Sequence, residues 1–365
     1  MYRDDFLQKK LQDRIANNSL RKLMLPAGKV DLCSNDYLGI VTHSRLPPAN
    51  QESVIALASG SKGSRLLSGN YQLIEELERK IADFHHSETA LLFNSGYDAN
   101  LGLLSSVPQK GDTILYDHLS HASIRDGIRL SFAQSFSFGH NDLQDLEKKI
   151  KHSSGTLFIV TESVFSMDGD LGLLESLVQI AQKYSAHLII DEAHATGVIG
   201  ERGEGLVQKL GLENQVFARV HTFGKACGVH GAAILGSESL RNYLINFARS
   251  FIYSTALPEQ SVYAIDQTYQ LFPSMQSERA QLQLLIRQFQ TADIRYQKLL
   301  SSTPIQGIMI PGNENVKQVA ASLQNKGFDI RPILYPTVPK DKERLRVVLH
   351  SFNSTGEIDQ LIKLL

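Results

Sequence analysis

The chain has 365 residues, 42% apolar and 21% charged, an ordinary globular balance that excludes a wholly disordered or fibrous protein. Lysine and arginine total 37 against 38 aspartate and glutamate, a formal net charge of −1, which leaves no electrostatic footprint for non-specific nucleic-acid binding. Two cysteines, Cys33 and Cys227, make no disulfide or zinc framework, and no apolar run spans a bilayer, so neither nucleic acid nor membrane is an expected partner.

The opening MYRDDFLQKKLQDR is charged and lacks the apolar centre of a signal peptide, so a soluble cytoplasmic protein is expected. Phe6, Leu7, Leu11, Ile15 and Leu20 predict an amphipathic helix over 5–25, stopped at Pro26-Ala27-Gly28. A short strand over 29–33 and a polar turn at Ser34-Asn35-Asp36 follow, and then a loop-like stretch over 43–53 containing Pro47-Pro48. Gly60-Ser61-Lys62-Gly63-Ser64-Arg65 reads as a charged loop of small residues, and 71–85 has helical spacing. Apolar runs at 91–93, 113–116, 156–161, 187–191, 218–222 and 232–235 read as strands. Helical patterns at 98–106, 122–130, 143–150 and 174–184 lie between them. Continuous apolar strands alternating with helices predict a mostly parallel sheet covered on both faces, with ligands at the carboxyl ends of its strands. Beyond Pro258 a Gln-rich helical region is interrupted by Pro273. The chain closes as strand 305–310, helix 316–326, strands 328–333 and 345–349, and helix 358–365, a smaller α/β unit.

Four local patterns could carry chemistry. In His187-Leu188-Ile189-Ile190-Asp191-Glu192-Ala193-His194 an apolar strand ends in an acid. An ionised Asp191 there needs a partner. Read alone it fits a turn-capping Asp, or a metal pair with His194 that lacks a third ligand. A helicase DEAH box fails because the chain has no GxxxxGK[ST] loop. In Thr222-Phe223-Gly224-Lys225 a lysine follows a strand among small residues. Taken singly it is a solvated lysine, but the room around it suits a nucleophilic amine, and Thr222 could reach a phosphate. Asn94-Ser95-Gly96-Tyr97-Asp98 opens a helix whose free N–H groups suit an anion, unless Ser95 and Asp98 form a capping box. His121, in Ser120-His121-Ala122-Ser123, follows a strand end; singly it is a helix-start residue. Together the four supply the parts needed to hold pyridoxal 5′-phosphate (PLP): an aldehyde-reactive lysine, an acid for the pyridine nitrogen, an imidazole for the ring and a phosphate site.

The ordered motifs resemble the α-oxoamine synthases over nearly the whole chain. They run from Asn35-Asp36-Tyr37-Leu38-Gly39 through Gly60–Arg65, Asn94–Tyr97, Ser120–Ser123, Thr161–Asp170, Asp191–His194 and Thr222–Lys225 to Arg344-Leu345-Arg346. The resemblance implies an α/β protein of PLP-dependent transferase fold type I, aspartate-aminotransferase-like. It would have an N-terminal segment over 1–45, a large PLP-binding domain over 46–258 and a small C-terminal α/β domain over 259–365. It implies Lys225 as the Schiff-base lysine, Asp191 on the pyridine nitrogen, His194 and Ser166 on the ring-hydroxyl side, and His121 stacked on the ring. Gly96, Tyr97 and Thr222 would hold the cofactor, and Arg21, Arg331 and Thr337 would contact substrate. It also implies amino-acid and acyl-thioester substrates, carried by CoA or an acyl carrier protein, and a homodimer with a shared active site near Ser254-Thr255.

Phe223, the short chain and Pro336-Thr337-Val338-Pro339 resemble the branch that condenses L-alanine with a pimeloyl thioester. The branches using glycine or serine are the alternatives within the family. Outside it stand a PLP-fold binding protein without turnover, which the intact Lys, Asp and His set argues against, and a metal-dependent hydrolase using Asp191 and His194. The stretch Arg331–Pro336 is longer than that branch's compact form, and His221 stands where a small residue is commoner.

Overall fold

In the computed structural model, residues 4–25, 28–46 and 57–365 are described; Pro26-Ala27 and Pro47-Pro48 lie outside them. Two compact units are distinguished. The larger comprises Leu38–Ser166 and Leu171–Arg279, the smaller Met1–Tyr37, Met167–Asp170 and Ala280–Leu365. The helix Glu259–Leu271, assigned from sequence to the C-terminal domain, belongs to the larger unit and lies against the helix Gln72–Phe84.

The larger unit is built on seven strands: β1 (Thr89–Phe93), β2 (Thr113–Asp117), β3 (Gln134–Phe138), β4 (Leu157–Glu162), β5 (His187–Asp191), β6 (Ala218–Thr222) and β7 (Ala232–Gly236). They are ordered β1-β7-β6-β5-β4-β2-β3. All pairings are parallel except those of β7, which runs antiparallel to both neighbours. Both faces are covered, as the apolar runs predict. Ile189 of β5 joins a cluster with Leu103, Leu104, Ile124 and Ile128 of the helices Gly96–Ser106 and Ala122–Leu130. Its neighbours Leu188 and Ile190, pointing the other way by the two-residue strand period, are equally buried. Strand β3 has no counterpart in the sequence reading. Its Gln-Ser-Phe-Ser-Phe segment is a mostly exposed edge strand, so it carries no continuous apolar run.

The smaller unit holds a four-stranded antiparallel sheet, ordered Arg331–Ile333, Arg344–Val348, Ile305–Met309, Gln297–Lys298. The strand expected over 328–333 is two strands. Phe328–Asp329 pairs in parallel with Val30–Asp31, while Arg331–Ile333 takes the edge of the four-stranded sheet, where Pro332 removes no needed donor. The first helix ends at Ala16, not at 25. Asn18 takes φ +50°, and the N–H groups of Asn18 and Ser19 return to the carbonyls of Ile15 and Arg14, a left-handed cap that stops the helix.

One buried ion cluster fixes β1 ahead of the Asn94–Tyr97 turn. Glu78 Oε1 accepts from Arg65 Nη1 at 2.8 Å and from the Leu92 backbone N–H at 2.9 Å; its Oε2 accepts from Arg241 Nη2 at 3.0 Å. Arg65, the charged end of the small-residue loop, is thus a structural cation. Glu78→Ala strands that guanidinium, and we expect a loss of about 3–5 kcal/mol in urea unfolding. Glu78→Gln, which keeps an acceptor for Leu92, should lose clearly less. Equal losses would show that the charge pairing carries the whole effect and the acceptor for Leu92 none of it.

Candidate active site

At the carboxyl ends of the strands lies a cavity of about 110 Å³. It is lined by Gly96, Tyr97, Asn100, His121, Ser123, Glu162, Asp191, Ala193, His194, Thr222 and Lys225. Seven residues picked from sequence meet here: Lys225, His121, Asp191, Gly96, Tyr97, His194 and Thr222. Ser166, in the turn beyond β4, does not line the cavity. Arg21, Arg331 and Thr337 belong to the smaller unit. There Arg21 Nη2 donates to Thr337 Oγ1 at 3.0 Å, and Arg331 pairs with Asp329 at 2.8 Å.

Asp191 ends β5 and is buried. Its Oδ2 accepts from Asn100 Nδ2 at 2.7 Å and its Oδ1 from the Ala193 N–H at 2.9 Å. Asn100, one helical turn beyond Gly96, was not picked from sequence. The available signal is an amide on the buried stripe of the helix, beside Ala99, Leu103 and Leu104. Glu162 lies within the Thr161–Asp170 motif and is not among the site residues read from the sequence. It ends β4 as Asp191 ends β5, and that same signal marks it.

The Glu162 carboxyl stands well above its ordinary 4.5. Burial is the main cause and the Asp191 charge adds to it, while the His121 N–H, donating to Oε1 at 2.6 Å, and Lys225 act the other way. In this cavity burial and a neighbouring like charge both push the Glu162 carboxyl toward its protonated form.

His121 caps the helix Ala122–Leu130. Its Nδ1 accepts from the Ser123 N–H at 3.2 Å and lies 2.7 Å from Ser123 Oγ. The residue is exposed at the cavity rim. Desolvation of its inward side is the largest influence and lowers its pKa below 6.5, with Lys225 and Arg125 adding and Asp191 opposing.

In the Asn94–Asp98 turn Ser95 caps the helix and the first N–H groups stay open. Ser95 Oγ accepts from the Asp98 N–H at 3.1 Å and donates to Asp98 Oδ2 at 2.8 Å. That leaves the first N–H groups of the helix, on Gly96 and Tyr97, without an intrahelical acceptor and available to an anion. A Cβ on Gly96 would stand 3.2 Å from Thr222 Cβ and Oγ1, so only glycine leaves the helix start open beside that hydroxyl.

An amine, a held carboxylate, a rim imidazole and an open helix start fit a group that combines an aldehyde, a basic ring nitrogen and an anion. Among the described residues no cluster of three His, Cys, Asp or Glu side chains is placed to hold a metal, so the Asp191–His194 metal reading gains no third ligand.

The family model for aminotransferase class I and II matches residues 27–365. The chain belongs to that family. The 8-amino-7-oxononanoate synthase of Emericella nidulans is 41% identical over 98% of this chain and 94% of its own. The solved 8-amino-7-oxononanoate synthase of Francisella tularensis superposes with a TM-score of 0.79 at 30% identity, covering 92% of this chain and 96% of that one. A structure of SPT with PLP gives a TM-score of 0.89 at 25% identity over 99% and 96%. The α-oxoamine synthase resemblance read from the motifs, and the type I fold it implied, are borne out by these matches.

The Glu162 shift has a testable consequence. Between pH 4.5 and its raised folded value, the folded chain keeps a proton that the unfolded chain releases, so this group lowers stability as pH rises through that window. Glu162→Gln keeps an acceptor for the His121 N–H and removes the effect. Its stability relative to wild type should therefore grow between pH 5 and pH 8 in denaturant titrations. A difference independent of pH would mean that Glu162 ionises normally.

Proposed function

We propose that this chain is a PLP-dependent C-acyltransferase that condenses L-alanine with a pimeloyl thioester, releasing CO₂ and the thiol and giving 8-amino-7-oxononanoate for biotin synthesis. The observation that carries this reading is the meeting of Lys225, Asp191 and His121 in one cavity beside an open helix start. Supporting it are relatives named 8-amino-7-oxononanoate synthase, about 40% identical over nearly the whole chain.

PLP, when bound, supplies an electrophilic aldehyde and an electron-withdrawing ring. The residues of the chain do the rest. The N–H groups of Gly96 and Tyr97, with the Thr222 hydroxyl, hold the phosphate. Asp191, fixed by Asn100 and the Ala193 N–H, keeps a positive charge at the ring nitrogen, and His194 borders the same space. Lys225 would be the covalent anchor, and its amine would serve as the base for the α-proton of the amino acid. His121 supports the ring from the rim.

For substrate we assign Arg331 to the amino-acid carboxylate and Arg21 with Thr337 to further contacts, and we keep Ser166 on the ring-hydroxyl side. The acyl group would arrive on CoA or an acyl carrier protein. We take the working form to be a homodimer with shared active sites, acting in the cytoplasm. Its two cysteines are free thiols, and among the described residues no helix is long and apolar enough to cross a membrane.

Incubation with pimeloyl-CoA and alanine, glycine or serine, read by mass spectrometry, should show the nine-carbon amino ketone acid with alanine. Product only with glycine or serine would move the chain to another branch. Lys225→Ala should lose about 10²–10⁴-fold in turnover, and wild-type turnover would end the assignment. Asp191→Asn should slow hydrogen exchange at the alanine α-carbon roughly 100-fold or more; unchanged exchange removes that role.

A further inference from the structure

Three hydrogen bonds of the cavity run in series. Asn100 Nδ2 donates to Asp191 Oδ2 at 2.7 Å and to Ser123 Oγ at 3.0 Å, and Ser123 Oγ lies 2.7 Å from His121 Nδ1. Proton counting fixes their direction. The amide nitrogen only donates, and both its protons are used. The Ser123 backbone N–H, also only a donor, points at His121 Nδ1 at 3.2 Å, so that nitrogen is an acceptor and carries no proton. The Ser123 hydroxyl accepts from Asn100 and turns its own proton to the same Nδ1. A neutral imidazole with Nδ1 bare holds its single proton on Nε2.

We propose that Asn100 and Ser123 are positioning residues that tie the His121 imidazole to the Asp191 carboxylate and hold it neutral, with Nε2–H as its one donor and no lone pair free to act as a base. The consequence rests on the condensation reading above. His121 can donate a hydrogen bond at the cavity rim but cannot compete with Lys225 for the α-proton, so proton removal falls to a single amine. The hydrogen bonds themselves do not depend on that reading. Asn100 and Ser123 are both buried, so solvent does not displace them easily. The charged groups acting on the ring are Asp191, Lys225, Arg125 and Asp126, with the Glu162 carboxyl on the His121 backbone N–H.

The test uses holoenzyme labelled with ¹⁵N-histidine, with His121 assigned through His121→Gln. Nitrogen–proton spectra between pH 5 and 9 should show the Nε2–H tautomer in the wild type. Ser123→Ala, which suits a helix and keeps the backbone cap, should mix the tautomers and raise the His121 midpoint by about one pH unit, tenfold in proton affinity. Asn100→Ala, or Asn100→Ser should that variant fold poorly, should shift it in the same direction. Because the bonds act in series, the double variant should move no further than the larger single one. The acidic limb of log kcat/KM should follow the same midpoints. An Nδ1–H tautomer in the wild type, single variants within about 0.3 unit of it, or additive shifts would overturn the relay. If the spectra behave as stated but Lys225→Ala still condenses alanine with pimeloyl-CoA, the relay stands and the proposed reaction falls.

Discussion

A carboxylate at the end of a buried strand destabilises a fold unless donors meet both its oxygens, and Asp191 depends on this condition. One donor, the Ala193 N–H, comes from the turn the strand runs into; the other, Asn100 Nδ2, comes from the helix that begins at Gly96. The strand that leads into that helix is in turn anchored by Glu78 through the Leu92 N–H. The charge at the centre of the cavity and the open helix start at its edge are thus two ends of one construction. Moving the helix to improve an anion site would withdraw Asn100 from Asp191.

The same constraint sorts the two carboxyl groups. Asp191 collects a donor on each oxygen, whereas Glu162 has the His121 N–H on one and is pushed up by burial and the neighbouring charge. The doubly met Asp191 carboxylate, in the same cavity as Lys225, suits a cationic ring nitrogen. The upward push on Glu162 works against a second ionised acid in the same space, while its Oε1 braces the backbone at His121.

Much of this was legible in the sequence because β2, β4, β5 and β7 are largely apolar runs, as strands covered on both faces usually are. The motif residues then fell at strand ends and helix starts, where the topology of a parallel sheet gathers them. What escaped was local or polar. The edge strand β3 is mostly exposed, Phe136 included, so no buried apolar run marks it. The first helix stopped early because Asn18 tolerates a left-handed conformation that no hydrophobic spacing reveals. Asn100 and Ser123 escaped because a polar side chain on a helix gives no sign of its partner until the fold places Asp191 beside it.

His221, unusual in sequence beside Thr222, is explained by the period of β6. Successive side chains of a strand point to opposite faces, so with Thr222 lining the cavity His221 points behind it. There its ring lies 4.0 Å from that of His85, its Nδ1 is 2.9 Å from Thr196 Oγ1, and burial holds both imidazoles well below their ordinary pKa and so neutral. His85 in turn meets the Tyr269 hydroxyl at 3.0 Å, on the helix Glu259–Leu271. The larger residue at 221 therefore fills the layer that joins the sheet to this helix and adds no charge to the cavity. Its departure from the common pattern bears on how β6 is supported, and leaves the chemistry of the Thr222 and Lys225 side chains to the residues that face them.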